Sequence, residues 1–151
     1  INDCLVNKDS IYVSMFSETG NWVNDIFDGA VVEYDILTKK KIGEPIKNLW
    51  MPHNITMINN DFHVLDSLRG NLMGNNANIL GTFPSFTRGL DFSDNLYFIG
   101  QSKNRNFLKT LHVKNNSSID CGIIVFNNKT KSSRFFQFDP RISEIHSVLK
   151  I

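Results

Sequence analysis

His53, Arg88 and Glu144 are the residues of this chain whose types, taken together, suit chemistry on a small molecule. Arginine offers a planar fork of donors to a carboxylate or phosphate, and histidine can carry a proton near pH 7. A carboxylate beside them can serve as a second acid-base group or orient the imidazole. Each of the three stands at the entry to an apolar run: His53 follows Trp50-Met51-Pro52, Arg88 follows Phe86-Thr87 and Glu144 precedes Ile145. Residues so distant in sequence meet only if those runs are equivalent strands of a repeating fold.

The strand pattern supplies such a repeat. Between Trp50 and Ser102 an apolar residue, a turn and two short strands occur twice, once through Phe62-His63-Val64-Leu65-Asp66-Ser67 and again through Leu96-Tyr97-Phe98-Ile99-Gly100-Gln101-Ser102. Ile11, Phe62 and Leu96 open equivalent second strands, and Gly29, Gly70 and Gly122 open equivalent third strands. The turn from Asp35 to Thr38 matches that from Asn127 to Thr130. Apolar runs are rich in β-branched and aromatic residues, and no window holds a sustained helical period. Four antiparallel strands per unit, at a period near the ~40 to 50 residues of propeller blades, predict an all-β fold of β-propeller type. The expected blades cover residues 1–49, 50–85 and 86–141, with the start of a fourth at 142–151, all in a single partial propeller domain. A sandwich of short strands suits the same turn spacing but gives no reason for a glycine and a turn to recur in register.

Three blades and a fragment do not close a ring, because propellers close with about four to eight. The chain is therefore expected either to pair with a copy of itself or to be part of a longer protein, the more so as it opens on Ile1 and stops at Lys150-Ile151 inside a strand-like run. In a propeller the innermost strand of each blade lines the channel, and its entry lies on the same face as the loop between the second and third strands. His53, Arg88 and Glu144 are thus expected to ring one mouth as candidate catalytic residues. The loops of that face add Trp22, then Asp66, Ser67 and Arg69, then Gln101, Lys103 and Arg105, as candidate ligand-binding residues. Such a ring suits a small anionic or sugar-containing ligand. Plainer roles compete with each: Arg88 and Glu144 suit pairing across neighbouring blades, His53 suits capping a turn, and Trp22 and Trp50 suit packing. His63, His112 and His146 have no partner at metal-ligand spacing and read as structural. Asp9, Asp61 and Asp94 form hairpin turns on the opposite face.

Composition narrows the classes further. Sixteen basic against fifteen acidic residues, with no basic run beyond Lys39-Lys40-Lys41, argue against a nucleic-acid partner. No apolar run approaches the ~20 residues of a spanning helix, which argues against a membrane span. Cys4 and Cys121, each within an apolar run, read as buried reduced thiols and point to the cytoplasm. No phosphate loop, nucleophile elbow, paired-cysteine motif or zinc motif is present, so no cofactor or metal is expected.

Met51-Pro52-His53 with Phe62 to Gly70, then Phe83-Pro84-Ser85-Phe86-Thr87-Arg88-Gly89-Leu90-Asp91-Phe92 and Tyr97-Phe98-Ile99-Gly100-Gln101-Ser102-Lys103, resemble the phrases of an uncharacterised bacterial family catalogued as domain of unknown function 4915. Ser143-Glu144-Ile145-His146-Ser147-Val148 is similar to a later phrase of that family. The resemblance is close over residues 50–110, looser over 120–151, and only stylistic in the first blade. Where family members carry Gly or Pro between the Ser and Arg of the second-strand exit, this chain has Ser102-Lys103-Asn104-Arg105. The resemblance implies members of about twice this length, a propeller-like repeat, and a setting of sugar modification or surface polysaccharide, but no reaction. Three expectations follow: a noncatalytic module binding a sugar phosphate, glycan-related anion or partner; an enzyme with His53 as general acid or base, Arg88 as anion clamp and Glu144 as orienter; or a structural half-propeller.

Overall fold

A computed structural model describes residues 1–151. The alternating runs form twelve strands in three sheets of four. The first sheet holds β1 (Asp3–Asn7), β2 (Ser10–Met15), β3 (Gly29–Asp35) and β4 (Lys41–Leu49). The second holds β5 (His53–Ile58), β6 (Asp61–Asp66), β7 (Asn71–Met73) and β8 (Ile79–Thr82), and the third β9 (Phe86–Ser93), β10 (Leu96–Ser102), β11 (Gly122–Asn127) and β12 (Ser132–Gln137). Every strand pairs antiparallel with the next in sequence. This is an all-β, partial propeller-like arrangement of blades.

Local chemistry explains why the same signals recur. The β5–β6 and β9–β10 hairpins turn through Asn59-Asn60 and Asp94-Asn95, all four at positive φ (53°, 67°, 51° and 67°). Such turns match the twist of the flanking strands, and Asn and Asp tolerate the left-handed region. In the β3–β4 turn the Asp35 carboxylate accepts the Thr38 N–H at 2.6 Å and its hydroxyl at 2.7 Å. In the β11–β12 turn the Asn127 side chain accepts the N–H groups of Lys129 and Thr130 at 2.9 and 3.0 Å. Gly29, Gly70 and Gly122 each lie so close to a carbonyl of the outermost chain (Leu49, Phe83 and Phe136) that a Cβ would collide with it. The repeated glycine is a packing requirement.

The blades stack through their innermost strands. The Asp3 carboxylate accepts the Ile55 N–H at 3.1 Å, and the Asn54 side-chain oxygen accepts the Gly89 N–H at 2.5 Å. Tyr12, Val31, Ile46 and Leu49 meet Ile55, Val64 and Met73 between the first two sheets. Leu65, Leu72 and Phe83 meet Leu90, Tyr97, Ile99, Ile124 and Phe126 between the second and third. Each large apolar side chain so buried contributes about 1.5 to 3 kcal/mol.

Two expectations are corrected. Residues 145–151 are not a strand; they run along β9, with Val148 against Gly89 and the Lys150 N–H donating to Asp91 at 2.5 Å. Backbone N–H groups of this segment go to side chains instead of a ladder, Ile145 to the Ser102 hydroxyl and Lys150 to Asp91. Cys121 is buried, but Cys4 is exposed, because the alternating β1 turns Cys4 and Val6 to the side where no sheet packs. No helix is long and apolar enough to cross a membrane.

Candidate functional site

His53 begins β5 and is buried between two aromatic edges, Phe16 at 6.1 Å and Phe86 at 5.3 Å between ring centroids. Its Nδ1 lies 3.0 Å from the Met51 carbonyl and 2.9 Å from the Ser67 hydroxyl. A carbonyl only accepts, so Nδ1 carries the proton and Nε2 is an acceptor. Burial, with the Arg88 charge second, lowers the imidazole to about 4. Near pH 7 His53 is therefore neutral, with Nε2 as its accepting atom.

Arg88 lies on β9, where the strand enters the same mouth. One of its terminal nitrogens is 3.4 Å from Glu144, and the other donates to Nδ1 of His146 at 2.7 Å. Nε2 of His146 is 3.3 Å from Glu144, and Arg105 also pairs with that carboxylate. Glu144 is thus held by two guanidiniums and an imidazole. The Nε of Arg88 is buried with no partner within the chain. Segment 142–151 is fixed here because the Ser102 hydroxyl meets the Ile145 N–H at 2.9 Å and its carbonyl at 3.2 Å, while the Lys103 N–H donates to the Ser143 carbonyl at 2.9 Å.

These groups surround a cavity of about 240 Å³, lined by His53, Arg88, Glu144, Lys103 and Arg105 with Phe16 and Phe86 as its apolar walls. Three cations and one carboxylate line it, with Lys103 Nζ donating to the Pro140 carbonyl at 2.6 Å. The remaining sequence-derived candidates lie elsewhere. Asp66 is fully buried, accepting the Trp50 N–H at 2.6 Å and Arg69 Nε at 2.5 Å. Burial raises its carboxyl, and Arg69 opposes that rise. Arg69 also donates to the Asn48 carbonyl at 2.7 Å and lies 5.5 Å from the Trp50 ring centroid, while Trp50 stacks on Phe27 at 4.4 Å. Asp66 and Arg69 fasten the entry to β5. Ser67 positions His53, and Gln101 pins the loop before β11 through Ser118 and the Asp120 carbonyl, at 2.6 and 2.8 Å. Trp22 packs edge-on against Phe16 at 5.4 Å, behind the wall.

Sequence reasoning missed His146, Phe16 and Phe86. His146 was discoverable: two residues after Glu144 in extended chain, it shares that residue's side. The two phenylalanines carried no signal distinguishing a cavity wall from core. No cluster of three His, Cys, Asp or Glu side chains is placed to hold a metal ion.

Three four-stranded antiparallel sheets joined through their innermost strands, with a polar cavity at one mouth, define a partial propeller-like protein. The chain belongs to the family described as domain of unknown function (DUF4915), which matches residues 3–151. Among solved structures it is similar to the crystal structure of the computationally designed Ika8 protein, with a TM-score of 0.55 and 14% identity over 98% of this chain. The match spans 39% of the designed chain's length, and at that identity it speaks to fold alone. No curated protein matches the chain.

Proposed function

We propose that this chain is a noncatalytic binding module that takes a small anion of the sugar-phosphate or glycan-related class at the mouth lined by Arg88, Lys103 and Arg105. The observation that carries the reading is the excess of cations around a concave cavity whose sole carboxylate, Glu144, is already paired. A phosphate or carboxylate would sit at the guanidiniums, a hydroxyl would donate to Nε2 of His53, and the apolar side of a sugar ring would lie on Phe86. A neutral His53 with Nδ1 already engaged favours binding over acid-base catalysis. The open sides of the first and third blades favour a chain that works beside further blades, from a second copy or from a longer protein. Two unpaired cysteines, one of them exposed, favour the reducing cytoplasm.

Arg105 is the informative position, because its side chain is 76% exposed and its loss leaves the blades intact. Arg105→Ala is expected to weaken binding of glucose 6-phosphate, glucuronate or a nucleotide sugar by about tenfold, about 1.4 kcal/mol, at unchanged melting temperature. Isothermal titration calorimetry of wild type and variant measures this. Equal affinity in both proteins, or no heat from any anionic sugar, would overturn the reading.

A further inference from the structure

A second cavity, of about 270 Å³, opens at the far ends of β5 and β9, between the second and third sheets. Its floor is the pair His63 and Tyr97, stacked at 5.5 Å, with the Tyr97 hydroxyl 2.8 Å from Nδ1 of His63. Burial lowers the imidazole and, together with the Asp61 charge, raises the phenol to about 12, so both are uncharged and the phenol donates. The imidazole proton then sits on Nε2, a donor with no partner within the chain. Half-buried Phe92 forms an apolar wall. The rim carries Asn59, Asn78 and Asn95, exposed residues whose side-chain amides make no hydrogen bond within the chain.

Backbone geometry accounts for only part of that asparagine. Asn59 and Asn95 occupy positive-φ turn positions that favour the residue. Asn78 has φ −72° and ψ 130°, extended backbone that any residue adopts, so nothing in its conformation asks for an amide. No lysine or arginine lines the cavity. Its one carboxylate, Asp61, accepts the Asn75 side-chain N–H at 3.0 Å, and neighbouring Lys131 is engaged by the Leu80 carbonyl at 3.2 Å and by Asn128 at 2.7 Å.

We infer that this cavity is a binding site for an uncharged sugar. Primary amides both donate and accept, which matches vicinal hydroxyls, each also a donor and an acceptor. The His63 Nε2–H supplies a fixed donor at the floor, and Phe92 offers an apolar surface to the ring. The volume lies just below the roughly 300 Å³ at which small-molecule pockets begin, which suits one sugar ring. The site shares no residue with the cationic mouth and does not depend on what binds there.

The test is a ¹H–¹⁵N NMR titration of the full chain with glucose, galactose, mannose, N-acetylglucosamine and lactose, at up to about 20 mM, enough to populate a millimolar site. At least one of these sugars is expected to shift the amides of residues 59–63, 78 and 92–97 and the His63 ring protons. The double variant Asn78→Ala with Asn95→Gly keeps a residue tolerant of positive φ at the turn. It is expected to melt with the wild type while losing at least about tenfold in affinity. Sugar-induced shifts confined to Arg88, Lys103 and Arg105, no shifts with any of the five sugars, or equal affinity in the double variant would each overturn the inference.

Discussion

Gly100→Ala is expected to cost the fold more than about 3 kcal/mol, lowering the melting temperature by roughly 10 °C in a chain of this size. Gly100 lies in β10 where the pairing with β9 shifts register between Ile99 and Gln101. A Cβ there would fall on the Arg88 carbonyl oxygen and approach the Ile145 side chain at 2.7 Å. Backbone cannot yield as a flexible side chain does, so the collision must move β9 or expel segment 142–151. Gly20→Ala is the control. Gly20 has φ 77° but nothing within 4 Å of an added Cβ, so only the conformational penalty of about 1 kcal/mol applies. Circular dichroism melts of the two variants give the comparison; similar losses would show that the β9–β10 contact is looser than its geometry.

Between pH 6.5 and 4 the native state is expected to lose about 3 kcal/mol through His53 alone. The folded imidazole titrates at about 4, against an ordinary value of 6.5. Within that window the unfolded chain binds a proton that the native state does not, so stability rises with pH; above the window both forms are neutral, and below it both are protonated. Each unit of separation is worth about 1.4 kcal/mol. His63, also lowered by burial, acts in the same sense. Asp66 acts in the opposite sense, because its raised carboxyl holds a proton in the native state above the ordinary carboxylate value. The variant isolates the His53 contribution: urea melts at pH 4.5 and 7 should give a smaller pH difference for His53→Gln than for wild type. Equal differences would mean that His53 is solvated and that the Phe16 and Phe86 walls do not exclude water.

The strand framework was readable because its signals are local. A hairpin through Asn59-Asn60, an aspartate capping its own turn at Thr38, and a glycine beneath a neighbouring carbonyl each act within a few residues or across one ladder. The meeting of His53, Arg88 and Glu144 was readable for a related reason, since equivalent positions in a repeat share a level. What could not be read is which polar groups satisfy one another. Asp66 and Arg69, three residues apart around a tight turn, bind each other, and Asp66 also accepts the Trp50 N–H, so that neither faces the cavity; alternation cannot distinguish the two outcomes. Gln101 is equally polar in sequence yet spends its amide on the loop at Ser118 and Asp120. The far cavity is not legible in the sequence because its asparagines look like turn formers, and only Asn78, in ordinary extended backbone, departs from that explanation.

Glu144 and His146 reach the mouth on a segment with no ladder of its own, held by the Ser102 hydroxyl, the Lys103 N–H and Asp91. Docking of that segment and occupancy of the mouth are therefore thermodynamically linked. On the proposed reading the coupling is negative: Glu144, carried by the segment, already pairs with Arg88 and Arg105, so an anion drawn to those guanidiniums would compete with it and favour the undocked segment. On that reading the mouth would report whether the outer side of the third blade is closed. Anything that lies against β9 in the manner of residues 145–151 would tune binding without touching the ligand.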